Sequence, residues 1–235
     1  MSIEQFLSRR HIARALFTSG IVVGAGLILP VPSAHKTQAA MMRKPHIFKF
    51  NLSMGDDNIG AHEIKINQDG SSGIWRHETI IDVRVSLGIF GDITFYHHCI
   101  EEWQNGRLHT LMSETDDDGE KYQVNGHTDG TEFVTNGPDG QYRSSGRLMT
   151  TNSLWTESFC NQEEVIDAAT GGVIGVVIDP INKGHSPSKT NKHQVSSYDV
   201  VSAKITGELL YDSAGIWSGG ILQKNGQEIK YEQIL

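Results

Sequence analysis

Residues 95–119, FYHHCIEEWQNGRLHTLMSETDDDG, carry the reading on which the fold turns. Asn105-Gly106 sits inside the stretch, and both residue types tolerate positive φ, so the dipeptide signals a two-residue hairpin loop. With that loop Trp103 faces Leu108, Glu102 faces His109, Ile100 faces Leu111, Cys99 faces Met112 and His97 faces Glu114. One side of the hairpin then shows Phe95, Cys99, Trp103, Leu108 and Met112, the composition of a core face, interrupted by His97 and Glu101. His97 and His98 are neighbours in sequence but point to opposite sides of a strand, so together they make no simple chelate. His97, Cys99 and Glu114 would share a side, yet their spacing matches no paired Cys or His signature. A hydrogen bond from His97 to Glu114 is expected there, and no metal.

Outward from this hairpin the same punctuation recurs. Asn-Gly or Asp-Gly stands at 69–70, 118–119, 125–126, 129–130, 136–137, 139–140 and 225–226. Turns so closely spaced leave no room for the long crossovers of parallel strands, which makes the sheet antiparallel. Apolar residues alternate between them: Phe48, Phe50, Leu52 and Met54; Ile81, Val83, Val85 and Leu87; Ala203, Ile205, Leu209 and Tyr211. Each set belongs to a strand with one face buried. At the second Asn-Gly hairpin, 225–226, Gly220 should face Tyr231, with the ring lying over the glycine. One short helix is expected near Met149–Cys160, and residues 179–197 read as a surface loop before the last three strands. About ten strands exceed what a flat sheet accommodates, so the fold class expected is mainly β, a strongly curved antiparallel sheet forming an open or closed barrel.

Residues 1–39 have the three parts of a cleavable export signal: Arg9 and Arg10, an apolar run from Ala15 to Leu29, and small residues near Ala39. SRRHIARAL also resembles a twin-arginine signal, and an ordinary secretory signal with adjacent arginines fits as well. The apolar run is broken by Thr, Ser and Gly and is too short to span a bilayer, so no integral membrane segment is expected once it is removed. A single domain over 40–235 in the periplasm follows. The chain carries a net charge of −8. Four basic residues lie within 1–39 against the one acid Glu4, so the remainder is more acidic still. Such a surface repels phosphate backbones, which argues against nucleic-acid partners. Cys99 and Cys160 are either one disulfide or two buried thiols.

Several of these segments together resemble an uncharacterised exported proteobacterial family, DUF6134. The matching positions are Gly60 and His62, then Glu101, Trp103, Gly106 and Leu108, then Trp155, then Tyr211, Asp212 and Gly215. The chain departs from the family pattern at Thr156, where a polar amide is expected. What the resemblance implies is a curved antiparallel sheet similar to periplasmic carrier and DUF3108-type half-barrels; it implies no reaction.

The functional residue that stands out is Glu101. A carboxyl beside Trp103 on an inward face must be paired, open to a cavity, or protonated by desolvation. It is either a ligand anchor or acid/base, or a structural acceptor for the backbone or for Arg107 or Arg143. The first expectation is a non-catalytic binding or carrier protein for a small apolar or amphipathic ligand, held by Trp103, Trp155 and Tyr211 with Glu101 or His62 as polar anchor. An enzyme acting on envelope carbohydrate or lipid would pair Glu101 with His62. An assembly factor would offer a sheet edge to an envelope protein. TDDDG at 115–119 lacks the spacing of a calcium loop, no phosphate loop or nucleophile elbow occurs, and no cofactor is expected.

Overall fold

The computed structural model describes residues 45–69, 72–181, 196–224 and 226–234. The export-signal reading, and most of the 179–197 loop, lie outside the described residues.

The described chain forms one sheet of fifteen strands, more than the ten expected. In chain order they are β1 (His46–Met54), β2 (Asp57–Asp69), β3 (Ile74–Ser86), β4 (Asp92–Gln104), β5 (Arg107–Asp117), β6 (Glu120–Asp129), β7 (Glu132–Gly137) and β8 (Gly140–Ser145). Then come β9 (Met149–Thr150), β10 (Glu164–Ile166), β11 (Val173–Pro180), β12 (Ser196–Ser202), β13 (Thr206–Tyr211), β14 (Trp217–Lys224) and β15 (Gln227–Gln233). The sheet runs β8-β7-β6-β5-β4-β3-β2-β1-β15-β14-β13-β12-β11-β10-β9, so β15 closes on β1 and two meanders become one. It stays open between β8 and β9. Four strands, not three, follow the 179–197 region.

Turn chemistry accounts for much of this. Asn105 and Gly106 have φ of 53° and 70°, and Asp118 and Gly119 have 55° and 89°, the left-handed pair that makes tight hairpins. Asn125-Gly126 behaves differently: it lies inside β6, paired with Asn136 and Thr135. A Cβ at Gly126 would run into the Phe133 ring, so this glycine serves packing and not a turn. The second Asn-Gly hairpin has the expected register, with Gly220 opposite Tyr231 and Leu222 opposite Ile229. A Cβ on Gly220 (φ 156°) would strike the Glu208 carbonyl of β13, which is why no larger residue fits.

The β4–β5 hairpin departs from the expected register. Trp103 pairs with Leu108, but a bulge between Glu102 and Trp103 shifts everything beyond it by one residue. His97 therefore faces Thr115 and not Glu114, Cys99 faces Ser113, and Glu102 faces Thr110 and not His109. Because side chains alternate, the shift turns Met112 outward, 53% exposed, and puts Leu111 and Ser113 inside. Leu87 and Ala203 also fall outside their strands and are exposed.

The interior is filled from the middle of the chain. Where one short helix was expected, Met149–Thr150 forms β9 and two 3-10 turns follow, Ser153–Trp155 and Glu157–Asn161. β10 then pairs with β9 in parallel, the one such pair among the described strands, and with β11 antiparallel. This 149–172 plug supplies Leu154, Trp155, Phe159 and Val165 to a core with Phe48, Phe50, Leu52, Ile64, Tyr211 and Trp217. It supplies Ile166 and Ala168 to a second cluster with Cys99, Trp103, Leu108, Leu111 and Phe133. Ser113 Oγ donates to the Ala168 carbonyl and Thr135 Oγ1 to the Gly171 carbonyl, fastening the plug across the concave face. Residues 149–172 thus pack into both clusters and tie the two halves of the sheet together.

Candidate functional site

Glu101 projects from β4 into this interior, 2% exposed. Its Oε2 accepts from the Trp103 indole N–H at 2.8 Å and its Oε1 from the Thr150 hydroxyl at 2.6 Å. Thr150 belongs to the plug, and its hydroxyl also accepts from the Asn152 backbone N–H at 3.1 Å. Burial pushes the Glu101 pKa up from 4.5, while the bonds from Thr150, Trp103, Asn152 and Cys99 pull the other way. Arg107 is occupied with the Thr131 carbonyl and Arg143 with Asp129 and Glu132, so neither arginine satisfies this carboxyl. Glu101 is a fastening point between sheet and plug.

Beside this network lies a cavity of about 280 Å3. Ile81, Phe95, Leu154, Ile205, Leu222 and Ile229 give it apolar walls. His62, His97, Thr115, Asn152, Asp167 and Tyr231 give it polar ones, and Lys204 and Lys224 stand in its more exposed part. His97 is held at both nitrogens: Nδ1 lies 2.8 Å from Thr115 Oγ1 and Nε2 lies 3.3 Å from Asn152 Nδ2. Burial lowers its pKa from 6.5 to about 4, against the pull of Asp167. His62, 3% exposed, sits among the rings of Trp217, Phe50 and Tyr231 at centroid distances of 5.7, 5.9 and 6.1 Å. Neither of its nitrogens has a hydrogen-bond partner among the described residues. Burial, and then the neighbouring His97, lower its pKa from 6.5 to about 3, so both imidazoles are neutral at pH 7.

Of the candidate ligand-binding residues, then, only His62 lines the cavity. Glu101 and Trp103 meet each other behind it. Trp155 is buried between Phe48, whose ring stacks at 6.3 Å, and His77, which meets it edge-on at 5.5 Å. Tyr211 is fully buried against Tyr198 at 5.9 Å. These are core residues, and the Glu101–His62 pair is not assembled. Cys99 and Cys160 are free thiols, not a disulfide. Among the described residues no three His, Cys, Asp or Glu side chains converge as a metal site, and no helix is long and apolar enough to cross a membrane. Sequence reasoning missed Thr115, Asn152, Asp167 and Lys204. Thr115 depends on the bulge and the plug residues on a path that no local periodicity encodes.

A family model described as a domain of unknown function, DUF6134, matches residues 50–234. Among solved structures, the chain is similar to the crystal structure of a beta-barrel-like protein of domain of unknown function DUF1849 from Brucella abortus. The likeness has a TM-score of 0.55 at 12% identity and covers 81% of this chain and 96% of that one. It bears on the fold alone. No curated protein matches the chain.

Proposed function

The chain belongs to the DUF6134 family, and we propose that it is an exported envelope protein that binds a small amphipathic molecule inside its curled sheet, as a binding or carrier protein and not as a catalyst. The observation that carries this reading is His62: a buried imidazole with two unpartnered nitrogens, lining a cavity that sets an apolar wall against a polar one. Apolar cavities with a few convergent polar groups are the usual form of small-molecule sites. The volume of about 280 Å3 suits a ligand on the order of ten non-hydrogen atoms. Catalysis by Glu101 draws no support from the geometry, since its carboxyl is enclosed by Trp103 and Thr150. Export rests on the N-terminal signal pattern and the acidic composition of the remainder. The test is native mass spectrometry of protein expressed with its own N-terminus. A shortened chain from the periplasm carrying a small adduct is expected. A full-length cytoplasmic chain would overturn export, and a periplasmic chain without adduct that takes up no lipid-like molecule would overturn binding.

A further inference from the structure

Resting on the reading that the cavity holds a ligand, we propose that this ligand is electrically neutral and meets His62 with a hydroxyl, or with another single group that both donates and accepts a hydrogen bond. Two observations carry this. First, the charges around the cavity are already matched. Lys204 lies 3.7 Å from Asp167, and Lys224 lies 3.7 Å from Asp117 with its ammonium 4.5 Å over the Phe95 ring. A carboxylate or phosphate head would have to compete with Asp117 or Asp167 for its cation, and an amine would have to compete with the lysines. Second, of the two imidazoles on the wall only one is engaged, and the Tyr231 hydroxyl beside His62 has no hydrogen bond among the described residues either. His97 is engaged by Thr115 and Asn152, whereas both nitrogens of His62 are unpartnered. A neutral imidazole has one N–H donor and one bare acceptor nitrogen. A hydroxyl is the smallest group able to satisfy either nitrogen, so it fits whichever tautomer the ring adopts. A carboxylate only accepts and an ammonium only donates. The lowered pKa of His62 agrees with this, because an anion could be met there only by protonating a ring that the surrounding aromatics keep neutral.

The experiment uses the purified chain, freed of endogenous lipid, with four probes of equal chain length at pH 7.5: octan-1-ol, octanoate, octylamine and octane. Calorimetry should find octanol bound at least roughly tenfold more tightly than the other three, the scale of one buried hydrogen bond. Octanoate or octylamine binding as tightly as octanol would overturn neutrality. Octane binding as tightly would overturn the hydroxyl contact. Binding of none of the four would remove the ligand reading and this inference with it. His62→Phe, in a shell already made of Phe50, Trp217 and Tyr231, should keep octane and lose the preference for octanol. The 15N imidazole resonances of His62 in the unaltered chain give a second readout that does not depend on the variant folding. They should shift with octanol and stay in place with octane, and the reverse would sink the proposal.

Discussion

Glu101 enters the core as a carboxyl whose two closest donors come one from its own strand and one from the plug. Glu101→Leu leaves the Trp103 N–H buried without an acceptor and the Thr150 hydroxyl with only Ser153 Oγ at 3.4 Å, and should cost about 2–5 kcal/mol in denaturant unfolding. Glu101→Gln keeps one acceptor and should cost less, with a distinctive pH signature. The folded-state pKa of Glu101 is raised, so its contribution is full below 4.5 and declines as pH climbs through the raised value. The gap between wild type and Glu101→Gln should therefore narrow as pH rises from 4 to 7; a constant gap would show that the carboxyl titrates as in the unfolded chain. The inward direction of Glu101 and Trp103 was legible because alternation along β4 needs only the period of a strand. The partners of His97 and the exposure of Met112 were not, since the bulge at Glu102 and Trp103 answers to the curvature of the whole sheet and no dipeptide announces it.

Among the elements, the hairpins could be read from their turn residues and the plug could not. Leu154 and Trp155 announce a buried segment, but a path made of a two-residue strand, two 3-10 turns and a parallel pairing has no period to detect. Trp155→Ala should cost about 3–5 kcal/mol, because the indole fills space between Phe48 and His77 that neighbours cannot collapse into. Glycines separate two kinds of constraint. A Cβ at Gly137 would collide with the Thr170 carbonyl of the plug, so Gly137→Ala should destabilise by more than about 2 kcal/mol. Gly119→Ala, at an open turn with φ of 89°, should cost only about 1–2 kcal/mol. Thiol titration of the native protein should find Cys99 unreactive until the chain unfolds, as its burial and strongly raised pKa require, and two thiols per chain in denaturant.

On the scale of the whole molecule, three buried histidines set the acid limit. Burial holds His62 and His77 at about 3 and His97 at about 4, all below the ordinary 6.5. The stability they contribute is full above 6.5 and is lost as pH falls, because the unfolded chain takes up protons that the folded one refuses. At pH 5 each accounts for a loss of roughly 2 kcal/mol, together a sizeable part of a domain's total stability. Thermal unfolding should therefore drop steeply between pH 6.5 and 4. His77→Phe, which keeps the ring against Trp103 and Trp155, should be markedly less acid-sensitive. An unchanged pH slope in that variant would mean that His77 is already protonated in the native state.

The pairing of β1 with β15, Phe50 opposite Gln233 and Leu52 opposite Tyr231, joins the first described strand to the last. Contacts so far apart in sequence are slow to form. While the chain is being synthesised, β1 can acquire β2 on one side but must wait on the other until β15 has left the ribosome. Until then the nascent protein carries an unpaired edge at β1, and this seam is the last to zip. A circular permutant that links the end of β15 to the start of β1 as a hairpin and opens the chain between β8 and β9 would make that seam local, and should fold faster to the same structure.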